Sequence, residues 1–308
     1  MKLLTTSAVA ALMMTAAACT PAETTKAPRA AEAPAVAASP DVHPFRIGAL
    51  EAWALKDGEI VLPVGGAETP WKDVAAVTAA LTAADQPTDA VHLSIQPLLV
   101  RDGARLVLID AGAGGAMGTQ NKLAASLAAA GVDPSAITDV LISHAHGDHV
   151  GGLIKADGTL AFPNAVVRMS APEWAFARAG AQEAGAGALL AAITPKVQAF
   201  EPGAQISPSI KAVPLAGHTP GHSGYEIVSG SERLLYFGDA LHSSAISVAR
   251  ADLANSWDMD GAAAVATRRG LLEGGANGTL RYYGGHFPYP GLGRIEKVGD
   301  GYVWRPET

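Results

Sequence analysis

Six consecutive residues, His144-Ala145-His146-Gly147-Asp148-His149, place three imidazoles and a carboxylate on one short stretch of chain. His144 and His146 are two apart, and Asp148 and His149 are adjacent, just after a glycine that permits a tight turn. One loop therefore offers four ligands in two pairs. A single ion seldom needs four such groups from one loop, whereas two ions do. Further ligands stand later in the chain, each directly after a glycine: His218 after Gly217, Asp239 after Gly238 and His286 after Gly285. Small neighbours let ligand loops crowd around ions. Asp239 suits a bridging role, because a carboxylate can give one oxygen to each cation. Asp148, Asp239 and a bridging hydroxide would offset most of the charge of two dications.

The donor set restricts the metal. Cys19 is the single cysteine of the chain, so neither an intramolecular disulfide nor a thiolate-rich site can be built. Imidazole and carboxylate ligands suit Zn, Mn, Fe or Co, and two zinc ions are the expected cofactor. Such ions lower the pKa of bound water toward neutrality and polarise a carbonyl or phosphoryl oxygen, which is the chemistry of hydrolysis. No serine-centred elbow motif suggests a different nucleophile. Asp148 and Asp239 are the expected catalytic carboxylates, as ligands first, with Asp239 also placed to shuttle a proton. His222 and His242 are expected to orient ligands or to support structure. His43 and His92 are read as unrelated to the metals.

Residues of this kind need a rigid frame, and the sequence supplies one. The chain has 308 residues, of which 49% are hydrophobic and 17% charged, enough for a sizeable core in one large domain. The net charge of −7 and the lack of any basic run exclude a nucleic-acid-binding surface. Strands are predicted at 91–100, 106–109, 137–143, 165–169, 210–215, 225–228, 233–237 and 280–283, with a closing hairpin at 295–298 and 302–304. Helices are predicted at 121–130, 171–184 and 260–272. Each ligand group then follows a strand on a loop, with its open face toward solvent. The loops 243–257 and 287–293 are expected to wall the substrate pocket. Their Trp257, Phe287 and Tyr289 fit either an apolar pocket or core packing.

Residues 1–18 combine a short basic start, an apolar run and small residues, and read as a signal for export. Ala16-Ala17-Ala18-Cys19 resembles the lipobox of bacterial lipoproteins, with Ala16 where that motif carries Leu. The resemblance implies acylation of Cys19 and a periplasmic or membrane-anchored protein; an ordinary cleaved signal is the alternative. Residues 19–42, rich in Ala, Pro, Thr and Glu, read as a disordered tether, followed by a hydrolase domain at 43–308. Expected partners are a small-molecule substrate and, through Cys19 alone, a membrane; nucleic acid is not expected, and a homodimer is left open.

The motifs together resemble the metallo-β-lactamase superfamily. His144 to His149 matches its HxHxDH motif, and Gly217-His218-Thr219-Pro220-Gly221-His222 is similar to its GHTPGH motif. Gly238-Asp239 and Gly284-Gly285-His286 are similar to its later metal motifs. Leu108-Ile109-Asp110-Ala111-Gly112 resembles the early strand whose Asp supports the site. The resemblance, from about Phe45 to the C-terminus, implies an α/β fold, an αββα sandwich with metals at one sheet edge. It also implies that His144, His146 and His218 hold one zinc, that Asp148, His149 and His286 hold the other, and that Asp239 bridges. Asp110 would be a buried supporting residue. Phe45-Arg46-Ile47-Gly48, Lys56-Asp57-Gly58, Gly238-Asp239-Ala240-Leu241-His242, Trp257-Asp258-Met259-Asp260 and His286-Phe287-Pro288 resemble the methyl parathion hydrolase and quorum-quenching lactonase group. This implies a binuclear zinc hydrolase of a lactone, ester or phosphotriester. A β-lactam or thioester (glyoxalase II-like) hydrolase on the same site, or a non-catalytic zinc-binding lipoprotein, is the alternative.

Overall fold

The computed structural model describes residues 39–307 apart from 118, 181–185 and 254. The export signal, Cys19 and most of the tether expected from the sequence lie outside the described residues. Among the described residues, no helix is long and apolar enough to cross a membrane.

Two sheets carry the fold. The first contains, in spatial order, β1 (Val42–Ile47), β2 (Leu50–Leu55), β5 (Leu98–Asp102), β6 (Arg105–Ile109), β7 (Asp139–Leu141), β8 (Val166–Ser170) and β9 (Val197–Phe200). In the second, the order follows the chain: β10 (Ile210–Pro214), β11 (Ser223–Ser229), β12 (Glu232–Tyr236), β13 (Asn277–Tyr283), β14 (Leu292–Val298) and β15 (Gly301–Pro306). A separate hairpin pairs β3 (Gly58–Pro63) with β4 (Ala90–Ile95). Helices α2 (Leu123–Ala129), α4 (Ala171–Ala179) and α5 (Ala186–Ile193) accompany the first sheet. Helices α6 (Ile246–Ala249) and α7 (Gly261–Gly275) accompany the second. The short α3 (Gly147–Val150) carries ligands, and α1 (Val74–Ala83) lies in the insertion between β3 and β4.

Alternation along the strands produces the layers. Leu98, Val100, Val107 and Ile109 face the second sheet, where Ile210, Tyr225, Ile227 and Tyr236 meet them. Their chain neighbours Leu99, Leu106 and Leu108 point the other way, onto Leu123, Leu127, Leu190 and Ile193 of the helices. On the far side of the second sheet, Leu235, Phe237 and Tyr282 pack against Val248, Leu271 and Leu272. Both faces of each sheet are thus covered, which is the αββα sandwich. A fourth cluster joins α1 and the β3–β4 hairpin to the α6 region through Trp71, Leu81, Leu93 and Ile246.

Three differences from the sequence reading matter. The single strand predicted at 91–100 is two strands in different sheets, β4 and β5, separated by Gln96-Pro97. Proline has no N–H for a ladder, and here it marks the change of partner. The helix predicted at 171–184 is described only to Ala179, with Gly180 as its cap, and the rest of the predicted span, 181–184, falls outside the described residues. Strands β1 to β3 and helix α1, at 42–83, carry no motif strong enough to have been predicted.

Parallel pairing gathers the ligand loops at one edge. β6 and β7 run parallel with Ile109 beside Leu141, so Asp110 and the 144–149 loop leave the same end of the first sheet. β12 and β13 run parallel with Tyr236 beside Tyr283, which delivers Asp239 and His286 together.

Candidate metal centre

Seven side chains converge where these loops meet. His144, His146, His218 and Asp239 form one group, and Asp148, His149 and His286 a second; within each group the ligand atoms lie within 4.8 Å of one another. In the first group His146 Nδ1 is 3.0 Å from both His144 Nε2 and His218 Nε2. Asp239 stands between the groups. Its Oδ2 is 3.6 Å from His144 Nε2 and 3.4 Å from His218 Nε2, while its Oδ1 is 3.2 Å from His149 Nε2 and 3.1 Å from His286 Nε2. Asp148 Oδ2 completes the second group, 3.4 Å from His286 Nε2.

The other ring nitrogens explain how the imidazoles are aimed. His149 Nδ1 donates to Asp110 Oδ2 at 2.7 Å, His218 Nδ1 to Asp258 Oδ1 at 3.1 Å, and His286 Nδ1 to the Ser94 carbonyl at 2.8 Å. His144 Nδ1 donates to Ser143 Oγ at 3.1 Å, because that hydroxyl gives its own proton to Asp110 Oδ2. With Nδ1 protonated, each Nε2 presents a lone pair to the centre. His149 Nε2 and Asp239 Oδ1 are buried there without any hydrogen-bond partner. Unpartnered acceptors facing one another in a buried site are costly unless cations lie between them. The residues present therefore fit two metal ions bridged by Asp239.

The electrostatics agree. Burial, reinforced by neighbouring imidazoles, holds His144 well below the usual histidine range and His146 at about 4. Burial alone would raise the Asp239 carboxyl, but His286, His149 and His144 outweigh it and hold it well below the carboxylate range. Burial would lower His149, yet Asp239, Asp148 and Asp110 together raise it well above its usual value. The second group thus calls for positive charge.

His222 and His242 stand apart from the ligands. Both ring nitrogens of His222 are used: Nδ1 donates to the Leu215 carbonyl at 3.0 Å, and Nε2 accepts from Asp239 N–H at 2.9 Å. This histidine braces the Asp239 backbone. His242 Nδ1 lies 3.0 Å from Asn255 Nδ2, and Asn255 Oδ1 is already taken by Trp257 N–H. The amide therefore donates to Nδ1, and the His242 proton sits on Nε2. That N–H is 3.2 Å from Asp239 Oδ2 but misaligned with it, and it has no partner.

Asp110, expected as a support, adopts a left-handed φ of 59°. It accepts from Ser143 N–H, Ser143 Oγ, His149 Nδ1 and Tyr236 OH, so a strained backbone is compensated by four donors. Glycine is required before two ligands. At Gly238, φ is 51° and a Cβ would lie 2.5 Å from His222 Nε2. At Gly217, φ is 124° and a Cβ would lie 2.1 Å from Ala264 N.

Sequence reasoning missed Ser143, Glu173, Asn255, Asp258 and Arg268. Of these only Asp258 lay in a motif already noted. Its side chain is shielded between His218 and Arg268, whose Nη1 is 2.8 Å from Asp258 Oδ2.

A cavity of about 310 Å³ opens onto the centre beside His146, Asp148, His218, Asp239 and His286. Ile60, Leu93, Met117 and Trp257 supply its apolar wall. Of the expected wall residues only Trp257 takes part. Phe287 is fully buried against Phe237 and Trp304, and Tyr289 packs on the inter-sheet core with its hydroxyl on the Ala54 carbonyl. The β3–β4 hairpin stands where the 287–293 loop was expected.

Fold and site together define a metal-dependent hydrolase whose His and Asp cluster is compatible with two ions. A family model of the metallo-beta-lactamase superfamily matches residues 93–286, and the chain belongs to that superfamily as a metal-dependent hydrolase. Among solved structures it is similar to AidC, a dizinc quorum-quenching lactonase in complex with N-hexanoyl-L-homoserine product (31% identity, 87% of this chain and 97% of that chain, TM-score 0.79). It is similar also to the hydrolase AbOPH of the beta-lactamase superfamily (30% identity, 87% and 98%, TM-score 0.77). A probable metal-dependent hydrolase from Staphylococcus aureus, at 20% identity and TM-score 0.70, shares the fold. No curated protein sequence matches the chain.

Proposed function

We propose that this protein is a binuclear zinc hydrolase of an uncharged lactone, ester or phosphotriester. His144, His146 and His218 would hold one ion, Asp148, His149 and His286 the other, and Asp239 would bridge. The observation that carries the reading is the pair of unpartnered, buried acceptors His149 Nε2 and Asp239 Oδ1 facing one another between two groups of ligand atoms, beside an apolar cavity. Two ions bound there would supply a water-derived nucleophile at neutral pH and a Lewis acid for the carbonyl or phosphoryl oxygen.

The chain's own residues set the substrate class. No lysine or arginine lines the cavity among the described residues. A β-lactam or a glutathione thioester brings a carboxylate that such a wall leaves unpaired, whereas a lactone or phosphotriester brings none. The lactonase activity of the similar AidC supports the same choice. His242 contributes a neutral donor. Its N–H lies behind the cavity wall, 3.2 Å from Asp239 Oδ2, where it adds positive potential beside the carboxylate that would bridge the ions.

The test is a substrate panel on metal-analysed protein: an acyl-homoserine lactone, an aryl ester, a phosphotriester, nitrocefin and S-lactoylglutathione. Turnover of a neutral substrate, abolished by chelation and restored by zinc, is expected. Preference for nitrocefin or the thioester, or full activity after chelation, would overturn the assignment. For residues outside the described part, we infer export through 1–18 and lipidation of Cys19. Cys19→Ser should then release the protein from the membrane fraction, and an unchanged distribution would refute the anchor.

A further inference from the structure

Glu173 is a buried carboxylate that the hydrolytic reading leaves without a role. It sits in the first turn of α4, fully shielded from solvent, and among the described residues no lysine, arginine or histidine side chain pairs with it. Its partners are instead three neutral donors on two different ligand loops. Oε1 accepts from Ala145 N–H at 2.8 Å. Oε2 accepts from Thr219 Oγ1 at 2.7 Å and from Gly221 N–H at 3.0 Å. Ala145 lies between His144 and His146, and Thr219 follows His218.

The grip on the second loop is two-sided. Ser170 Oγ caps the Glu173 N–H at 3.2 Å and donates to the Gly221 carbonyl at 2.7 Å. Gly221 fits there only because it lacks a side chain: a Cβ would lie 2.2 Å from Glu173 N. An uncompensated carboxylate in such a place is expensive, so three aligned donors on two loops are a constraint on the distance between those loops.

The other ligand group is anchored elsewhere. The His149 carbonyl accepts from Ala111 N–H, His149 Nδ1 donates to Asp110, and His286 Nδ1 donates to Ser94. None of these contacts passes through Glu173.

We propose that Glu173 is a positioning residue that sets the spacing of His144, His146 and His218, so that one of the two metal positions depends on it and the other does not. The proposal rests on the two-metal reading of the site. It gives the chain separate control over its two ions: a defect at Glu173 yields a half-loaded protein rather than an empty one.

The experiment uses Glu173→Gln in the full chain, loaded with zinc and dialysed against graded chelator, with zinc counted per chain. A glutamine amide keeps one oxygen but turns its N–H₂ toward a donor, so one loop loses its partner. Supporting contacts of this kind are worth about 10–100-fold in metal affinity. The native protein is expected to release two equivalents at high chelator. Glu173→Gln is expected to release one equivalent at least about tenfold more readily and to keep the other at the native level. Retention of both as in the native protein, or loss of both together, would overturn the proposal. Should Glu173→Gln not fold, Thr219→Val removes one donor only and is expected to show the same uneven loss in weaker form; even loss there is equally decisive. A native protein that holds fewer than two ions refutes the two-metal reading itself, an outcome separate from any effect of the variants.

Discussion

Replacing Arg268 by methionine tests how the first ligand group is held. The side chains of Arg268 and Asp258 are both almost completely buried. The guanidinium gives Nη1 to Asp258 Oδ2 at 2.8 Å and Nε to the Ala251 carbonyl at 3.1 Å. Asp258 in turn accepts from His218 Nδ1. Methionine fills a similar apolar volume but leaves the Asp258 charge buried with a neutral partner alone. Breaking a buried pair in this way costs about 3–5 kcal/mol. In a domain of this size each kcal/mol lowers Tm by roughly 2–4 °C, so a loss of roughly 6–20 °C is expected. Burial pushes the Asp258 carboxyl up, and hydrogen bonds from His218 and Arg268 now hold it below its usual value. Without the arginine it rises, the His218 Nδ1–H loses an ionised acceptor, and metal affinity falls with it. The assay is urea unfolding of chelator-treated protein, with Asp258→Asn and the double variant completing a cycle. The double variant removes both charges and should cost less than the two single changes summed. A single-variant cost below about 1 kcal/mol, or strict additivity, would refute the reasoning.

Two further predictions follow from ring-nitrogen assignments. Burial, then His218, lowers His222 to about 3 in the folded chain, against 6.5 as its ordinary value. The unfolded chain binds this proton first, so metal-free protein loses stability as pH falls from about 6.5 toward about 3, and this group contributes no slope above that window. His222→Gln, which can still donate and accept, should reduce the slope between pH 6 and pH 4 by about one proton; an unchanged slope counts against the assignment. His242→Phe should leave the zinc content near the native level and lower kcat by about 10–100-fold, the usual loss when a partner of a metal ligand is removed. Loss of zinc in that variant would show His242 to be a ligand instead.

Much of the site was legible before folding because coordination chemistry is selective. Few side chains can hold two dications, so His144, His146, Asp148, His149, His218, Asp239 and His286 announce themselves by type. Their glycine neighbours announce the crowding that the structure shows at Gly217 and Gly238. The alternating apolar residues at 98–100 and 106–109 likewise carry the two-faced burial of their strands. Less of the fold was legible where a local pattern admits two partners. The run 91–100 reads as one strand, and only sheet pairing divides it at Pro97.

The sequence by itself picked out the side chains that could hold metals; the tertiary structure alone decided what aims them. The reason is chemical degeneracy. A metal accepts a short menu of ligands, but the proton on the far nitrogen of each imidazole can go to a carboxylate, a hydroxyl or a backbone carbonyl. All three are used here, at Asp110 and Asp258, at Ser143, and at Ser94. Such acceptors have no distinctive spacing: His218 and Asp258 are 40 residues apart, and His286 and Ser94 are 192. The same holds for Glu173, which reads in the sequence as an ordinary first-turn acid of a helix. Packing buries that helix end between two ligand loops, and there the carboxylate becomes their common anchor.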